Sequence, residues 1–278
     1  MPIVPTGAII AAARSESRGV AAFNIIQLEH AEAVAEAAER TGAPVIVQIS
    51  ENAVRFHGAL APVARAAAAI AERCTAPVAL HLDHATDPDL VKEAAGLGFG
   101  SVMYDASALD YHANVTATAG IVDYCHTHGL WVEAELGEIG GKDGAHAPGA
   151  RTDPAEAEDY VKATGVDALA VAVGSSHARP ERDAALDFAL IAALRSAVPV
   201  PLVLHGSSGV ADTDLARAVR AGMTKINIGT QLNKVLTTAV RSALAEHDTL
   251  VDPRRYLGPG RDAMTAEAAR LMQILQKG

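Results

Sequence analysis

The stretch HLDHATD, residues 81–87, places two histidines and two aspartates within seven positions, directly after an apolar run. Imidazole and carboxylate groups transfer protons and bind divalent metals. Asp87 has a simpler explanation, because it precedes a proline at the predicted start of a helix and suits the N-cap position. Asp83 and His84 therefore indicate proton transfer or metal binding, whereas we assign His81 no role beyond a polar contact.

Three histidines stand at or just beyond the ends of predicted strands: His84, His177 in VGSSH, and His205 in LVLHG. Neutral imidazole is a good zinc ligand, and three protein ligands with one open position describe a catalytic zinc site. Cobalt, iron or manganese would also fit such ligands. If the fold brings these three strand ends to one rim, the histidines predict a catalytic metal site there.

Eight short β-type runs recur along the chain, and almost every one is followed by an Ala-rich amphipathic stretch of helix length. This alternation is typical of a (β/α)8 barrel, also called a TIM barrel. An open doubly wound sheet is the alternative, but no GxGxxG follows the first strand. We therefore predict a single α/β barrel domain over residues 1–278 with an extra C-terminal helix over about 252–278. The runs are GVAAFN, PVIVQIS, PVALHLD, SVMYDA, LWVEAEL, ALAVAVG, PLVLHG and TKINIG.

Alternation along each predicted strand separates two sets of side chains. Aliphatic residues such as Leu80, Leu82 and Val132 would face the helices, and their neighbours would face the barrel axis. Burying many ionisable groups without partners costs several kcal/mol each, so an inward polar set favours a functional site over a structural network. Barrel enzymes place that site at the carboxyl ends of the strands. The inward set is Asn24, Gln48, Ser50, His81, Asp83, Asp105, Glu133, Glu135, His205, Lys225 and Asn227.

Two glycine-containing segments follow the seventh and eighth predicted strands. HGSSG (205–209) and NIGT (227–230) offer backbone N–H groups, hydroxyls and an amide. Phosphate sites of this fold usually form from these two loops. We therefore expect substrate or phosphate contacts from Asn24 and from both loops, namely Gly206, Ser207, Ser208, Asn227, Ile228, Gly229 and Thr230.

The composition argues against several other classes of function. The formal net charge is -10 and no basic cluster occurs, which argues against nucleic acid as a partner. The first twenty residues lack the basic region of a secretory signal, and no apolar run is long enough to cross a bilayer. The only cysteines, Cys74 and Cys125, form no CxxC pair. We expect a soluble cytoplasmic protein with structural thiols.

The order of several motifs resembles one enzyme family across nearly the whole chain. HLDH, SVMYDAS, VEAELGEIGG, GSSH, LVLHGSSG and KINIGTQL occur in the order found in class II, metal-dependent ketose-bisphosphate aldolases. That family contains fructose-bisphosphate and tagatose-bisphosphate aldolases, and its members form dimers and larger oligomers. The resemblance implies a homo-oligomer, a dimer or tetramer, that acts on a sugar phosphate.

The resemblance also implies roles for individual residues. His84, His177 and His205 would hold one catalytic zinc ion, and Asp83 would be the acid/base carboxylate for the aldehyde oxygen. Asp105 and Glu135 match positions that can bind a second or alternative divalent metal. Gly206, Ser208, Asn227 and Thr230 match residues around the ketose phosphate, where sodium or potassium is common in the family.

Two segments depart from the family pattern. Ala178 stands where a glycine is usual after the second metal histidine, and Arg179 would supply the charge of a lysine that is normally nearby. In the loop GGKDG, Asp143 is the nearest candidate for a glutamate that transfers a proton at the enediolate carbon, and it is one methylene shorter. Both departures concern the substrate and leave the metal ligands in place.

The resemblance implies reversible cleavage of fructose 1,6-bisphosphate or tagatose 1,6-bisphosphate to dihydroxyacetone phosphate and glyceraldehyde 3-phosphate. Four alternatives stay open. The first is the same chemistry on another sugar phosphate, and the second is a zinc hydrolase in which Asp83 activates water. The third is a Schiff-base aldolase that uses Lys225, which leaves the three rim histidines without a role. The fourth is a metal-binding regulator without catalysis.

Overall fold

The computed structural model describes residues 3–136, 151–175 and 182–277. Within these ranges the chain forms eight β-strands and eleven α-helices. The strands are β1 (Val20–Asn24), β2 (Val45–Ser50), β3 (Val78–Ala85), β4 (Ser101–Tyr104), β5 (Trp131–Glu135), β6 (Ala168–Ala170), β7 (Leu202–Leu204) and β8 (Met223–Ile228). The helices are α1 (Thr6–Ser15), α2 (Leu28–Thr41), α3 (Glu51–His57), α4 (Ala61–Ala71), α5 (Pro88–Gly96), α6 (Tyr111–Thr127), α7 (Pro154–Thr164), α8 (Phe188–Ala197), α9 (Asp212–Ala221), α10 (Thr230–Glu246) and α11 (Pro253–Leu275).

The strands form a closed parallel barrel in chain order, and β8 pairs with β1 to complete it. The predicted (β/α)8 architecture is confirmed. Because every connection between neighbouring parallel strands must cross over, the carboxyl ends of the strands all lie at the same mouth of the barrel. Three departures from one helix per strand occur among the described residues: α1 precedes β1, both α3 and α4 lie between β2 and β3, and α11 follows α10 after β8.

Apolar side chains line the outside of the barrel wall, as alternation predicts. Leu80 and Leu82 of β3 and Val132 of β5 are fully buried in the large cluster that contains the helix residues. The packing of β-branched and leucine side chains between strand and helix is the main favourable contribution to folding. The residues that alternate with them face the axis, and the polar members of the inward set are placed there.

Helix α1 closes the amino-terminal end of the barrel. Ile9, Ile10 and Ala13 pack in one cluster with Val20 of β1 and Ile46 of β2, on the inner side of the wall. The backbone N–H of Val4 donates to Val78 O at 2.9 Å and ties the segment before α1 to β3. No start signal marks this helix, because its N-cap residue is a proline without a side-chain cap. This packing covers the end of the polar lumen that lies opposite the carboxyl mouth.

Aspartate side chains cap the first turns of two helices, α5 and α7, and Asp87 does so as predicted. Asp87 accepts from the backbone N–H of Asp89 at 2.9 Å, and Asp153 accepts from the N–H groups of Ala155 and Glu156. Helix α7 ends at Gly165, whose φ of 71° is the left-handed conformation that favours glycine. These contacts fix the starts of the helices that follow β3 and β5.

The C-terminal helix of the prediction corresponds to α11, with Asp252 as its N-cap. This helix packs against α2 and α10 and buries one face formed by Met264, Ala268, Leu271, Met272 and Leu275. It thus covers the outside of the barrel next to β1 rather than the mouth. Across the described ranges, no helix combines enough length with enough apolar character to span a membrane.

Candidate active site at the carboxyl mouth of the barrel

His84 reaches the mouth through a local break in the alternation of β3. The sequence predicts His84 at or just beyond the end of the third strand, but β3 continues to Ala85. His84 has a φ of 51°, and the register between β3 and β4 shifts between Leu82 and Ala85. Regular alternation after Asp83 would direct His84 toward the helices. The left-handed backbone instead places its ring near the mouth, with the centroid 4.7 Å from that of His205.

Asp83, His84 and His205 form a compact group of metal-binding atoms. Each offers one ligand atom, and these atoms all lie within 4.8 Å of one another. Two imidazoles beside carboxylates suit a divalent transition metal. Both predicted histidine ligands in the described part of the chain are therefore brought together, whereas His177 lies outside the described residues.

His205 is fully buried and held by two glutamates. Its Nε2 lies 2.9 Å from Glu133 Oε1, and its Nδ1 lies 3.2 Å from Glu135 Oε2. Burial alone lowers the pKa of His205, but the hydrogen bonds to both carboxylates raise it to about 9. Because Glu133 holds the proton on Nε2, Nδ1 is the nitrogen that a metal ion would take.

Asp83 is buried and held in one orientation by two amides. The Asn24 Nδ2 donates to Asp83 Oδ2 at 2.7 Å, and Asn227 Nδ2 donates to Oδ1 at 3.4 Å. Burial raises the pKa of this carboxyl, but the nearby charges of His84 and Lys225 hold it well below its ordinary value. Asp83 is thus an ionised base with fixed oxygens at neutral pH.

Lys225 lies in the lumen and contacts one partner of His205 and one partner of Asp83. Its Nζ lies 2.7 Å from Glu133 Oε2 and donates to Asn227 Oδ1 at 2.8 Å. Burial raises the pKa of Glu133, but the Lys225 charge and the His205 hydrogen bond lower it to about 2. Alternation placed Glu133 in the lumen, yet no sequence pattern indicated that it holds His205. That pairing joins β5 to the residue after β7, two strands away in the barrel wall.

His81 takes the structural role that the sequence suggested. Its Nδ1 lies 2.7 Å from Ser101 Oγ, which lies 2.6 Å from Thr6 Oγ1 of α1. Burial, followed by the charge of Lys225, lowers the pKa of His81 to about 3, so the ring is neutral. This chain of hydroxyls connects the middle of the lumen to the helix that closes its far end.

The two predicted second-metal carboxylates lie beside the histidines. Asp105 Oδ2 lies 2.7 Å from His84 Nδ1, and Asp105 Oδ1 accepts from the hydroxyl of Ser107 at 2.6 Å. Glu135 is next to His205 Nδ1. Asp105 can therefore orient His84, a common arrangement around protein-bound metals, whereas Glu135 lies on the side of His205 where a metal ion would bind. Asp143 and Arg179 lie outside the described residues.

The two predicted phosphate loops meet at the mouth. Gly206 has a φ of 64° and starts a short 3-10 turn over Ser207–Gly209. The Ser207 hydroxyl donates to the carbonyl of Asn227, which joins the loop after β7 to the end of β8. Gly229 approaches Asn24 so closely that an added Cβ would lie 3.2 Å from Oδ1. The first turn of α10 starts directly after it, at Thr230, and opens toward the loops.

One member of these loops is placed differently from the rest. The side chain of Ile228 belongs to the cluster between barrel and helices, so only its backbone is available to a ligand. The Ser208 hydroxyl, by contrast, accepts from the N–H of Gln231 at 3.2 Å and joins the loop after β7 to the first turn of α10. The loop geometry thus favours recognition by backbone N–H groups and hydroxyls.

Glu51 fixes the segment that follows His84. Its carboxylate accepts from the Thr86 N–H at 2.5 Å and from the Thr86 hydroxyl at 3.0 Å, and it pairs with Arg55. Burial raises the pKa of Glu51, but the Thr86 hydrogen bonds and Arg55 lower it below its ordinary value. No local sequence pattern indicated a role for Glu51, because its partner Thr86 lies in another βα connection.

We expect Glu51→Gln to lower the free energy of unfolding by about 1–2 kcal/mol at pH 7, since it weakens charge-assisted hydrogen bonds. The folded pKa is lowered, so this stabilisation is present above the unfolded pKa of about 4.3 and is lost as the pH falls through the folded value. Urea unfolding at pH 7 measures the loss of stability, and urea unfolding at pH 4 measures how that loss depends on pH. Glu93→Gln, on the exposed face of α5, is the control; a difference between Glu51→Gln and the wild type that is unchanged at acid pH would contradict the account.

Comparison with known proteins agrees with this geometry. The family model described as "Fructose-bisphosphate aldolase class-II" matches residues 4–278. Fructose-bisphosphate aldolase of Geobacillus stearothermophilus is 41% identical over 251 residues, which cover 89% of this chain and 88% of the relative. That of Staphylococcus aureus (strain N315) is 37% identical over 268 residues, covering 95% and 94%. The structure of the YdjI aldolase from Escherichia coli K12 matches with a TM-score of 0.86 and 31% identity, covering 100% of this chain and 99% of that one. The chain belongs to the class II fructose-bisphosphate aldolase family and is a lyase.

Proposed function

We propose that this chain is a zinc-dependent aldolase that reversibly cleaves a ketose bisphosphate, either fructose 1,6-bisphosphate or tagatose 1,6-bisphosphate. The products are dihydroxyacetone phosphate and glyceraldehyde 3-phosphate. The observation that carries the proposal is the placement of ionised Asp83 beside His84 and His205 at the barrel mouth. The names of the curated relatives support the substrate class.

His84 and His205, together with His177, would hold the metal in this proposal. The hydrogen bond between Glu133 and His205 Nε2 fixes the ring, and Asp105 fixes His84 in the same way. Bound zinc supplies a Lewis acid that stabilises the negative charge developing at the substrate ketone. Because His84, His205 and both carboxylates are already in place, little reorganisation of these residues is needed for binding.

Asp83 would move the proton of the reacting hydroxyl. Cleavage of the bond between C3 and C4 turns the C4 hydroxyl into an aldehyde, so its proton must be removed as the bond breaks. An ionised carboxylate accepts that proton, and in the reverse direction the protonated acid returns it. Asn24 and Asn227 hold the two oxygens of Asp83 and limit its rotation.

A second proton transfer is required at the enediolate carbon of the departing fragment. By resemblance we assign it to Asp143. The ketose phosphate would bind between the turn at Gly206–Ser208 and the start of α10 at Thr230, where N–H groups and hydroxyls face the mouth. Arg179 would add charge on the phosphate side, and a sodium or potassium ion would be compatible with this position.

The decisive experiment is release of dihydroxyacetone phosphate from fructose 1,6-bisphosphate and from tagatose 1,6-bisphosphate, each with and without EDTA. We expect turnover of at least one sugar, loss of that turnover in EDTA, and recovery with zinc. Re-addition of cobalt or manganese after chelation ranks the metals. Turnover that survives complete metal removal would contradict the proposal, and release of inorganic phosphate without a triose would favour a hydrolase.

The Schiff-base alternative is disfavoured by the position of Lys225. Its Nζ contacts Glu133 and Asn227 inside the lumen, where the side chain is fully buried. A lysine that forms a Schiff base must instead present its amine to the substrate carbonyl. Borohydride added with dihydroxyacetone phosphate is therefore expected to leave no adduct on Lys225, as measured by mass spectrometry.

A further inference from the structure

Lys225 is a buried cation that the reaction steps above do not use. It lies on β8, its side chain has 0% exposure, and both of its polar contacts are to side chains of the lumen. Burying an ammonium group is costly unless it is paired and hydrogen-bonded. Its two partners are Glu133, which contacts His205, and Asn227, which contacts Asp83. The lysine is therefore linked to both functional side chains through its partners.

The first contact leads to His205. The ammonium of Lys225 lies against Glu133 Oε2, so Glu133 presents its other oxygen, Oε1, to His205 Nε2 at 2.9 Å. A carboxylate only accepts hydrogen bonds, and it therefore requires a proton on that nitrogen. Nε2 therefore keeps its proton, and a metal ion would bind Nδ1 in place of a proton, on the side of the ring where Glu135 Oε2 lies 3.2 Å away.

The second contact leads to Asp83. An ammonium group only donates, so Asn227 must turn its Oδ1 toward Lys225. The Nδ2 of the same amide then points at Asp83 Oδ1, 3.4 Å away. On the opposite side Asn24 is oriented in the same way, because Gln48 Nε2 donates to Asn24 Oδ1 at 2.8 Å and leaves Nδ2 for Asp83.

We propose that Lys225 is a positioning residue that sets the tautomer of His205 and the orientation of Asn227 against Asp83 at the same time. The inference rests on the proposed function, since it takes His205 as a metal ligand and Asp83 as the proton-transfer group. It assigns to one buried lysine a role in both metal affinity and turnover. Lys225 acts through its neighbours and touches no substrate in this account.

Lys225→Met tests the proposal, because it removes the charge and keeps the length of the side chain. We expect zinc to bind 10–100-fold more weakly in competition with a chelating dye, a typical effect of losing an outer partner of a metal ligand. At saturating zinc we expect kcat to fall at least about 10-fold, with a smaller rise in KM because Asn227 is itself an expected substrate contact. Lys92→Met, the same change at an exposed lysine of α5, should match the wild type in every measurement.

A double variant separates positioning from simple charge neutralisation. Lys225→Met alone leaves Glu133 as an unpaired buried charge, whereas Lys225→Met with Glu133→Gln removes both charges. We expect the double variant to regain the thermal stability of the wild type but to keep the low kcat, because Asn227 still lacks its donor. If the single variant does not fold, the double variant carries the comparison.

Two results would overturn the inference: wild-type kcat and zinc affinity in Lys225→Met, or recovery of both in the double variant. Failure of the proposed function gives a different result, namely a wild-type protein that cleaves neither sugar. The dye competition needs no substrate, so it still measures whether Lys225 acts on His205 in that case.

Discussion

His84→Asn is expected to abolish stoichiometric zinc binding and to lower kcat/KM by more than about 10³-fold. Loss of the metal removes several kcal/mol of charge stabilisation from the transition state, and each 1.36 kcal/mol corresponds to a factor of ten. Asparagine is the appropriate replacement, because it tolerates the left-handed backbone that His84 adopts at a φ of 51°. The effect can then be attributed to the imidazole rather than to strain in β3.

Zinc per chain, measured after dialysis, and turnover of the preferred sugar would establish this result. His112→Asn, at an exposed position on α6, is the matched control and should retain both zinc and activity. A His84→Asn protein that keeps one tightly bound zinc ion would show that His84 is not a ligand. In that case its contact with Asp105 would have to be explained by another role.

Asp83→Ala is expected to lower kcat by about 10²–10⁴-fold, the usual contribution of a positioned general acid or base. Zinc content should be unchanged, since in our proposal the metal is held by histidines. KM should rise by a smaller factor than kcat falls, because the carboxylate contacts the phosphate loops through the Asn227 amide, while the turn at Gly206–Ser208 and the start of α10 stay in place. Steady-state kinetics and metal analysis of the same preparation give all three quantities.

The zinc measurement distinguishes a proton-transfer residue from a metal ligand, because Asp83 belongs to the same compact group as His84 and His205. If zinc were lost together with activity, Asp83 would be a metal ligand and another residue would have to move the hydroxyl proton. Asp123→Ala, at an exposed position on α6, controls for the removal of an acidic side chain. Unchanged kcat in Asp83→Ala would remove the residue from the mechanism.

Much of this site could be predicted from the sequence, because strand alternation alone decides which side chains enter a barrel. Asp83, Glu133 and Lys225 were assigned to the lumen in this way, and the structure places all three there. The order of the strands then brought their carboxyl ends together. Both steps depend only on local patterns and on general rules of parallel barrels.

Other features depend on contacts that no local pattern records. The position of His84 results from a register shift between β3 and β4, which depends on how two strands pair. The pairing of Glu51 with Thr86 joins two separate βα connections, and that of Glu133 with His205 joins β5 to the residue after β7. Helix α1 carries no capping signal and forms because its apolar face is buried against the barrel. Sequence therefore gives the side of the wall for residues of a regular strand, and tertiary structure selects their partners.

The closure of the barrel by α1 has an electrostatic consequence. Ile9, Ile10 and Ala13 pack across the amino-terminal end, so apolar side chains rather than water border that end of the lumen. The surroundings of Lys225 and Glu133 therefore have a low dielectric constant, in which the field of a buried charge extends further than it does in water. Helix α1 thus helps to keep the dielectric constant low on the amino-terminal side of the site. Its apolar residues, which contact no reacting group, help to set the strength of the field that Asp83 and His205 experience.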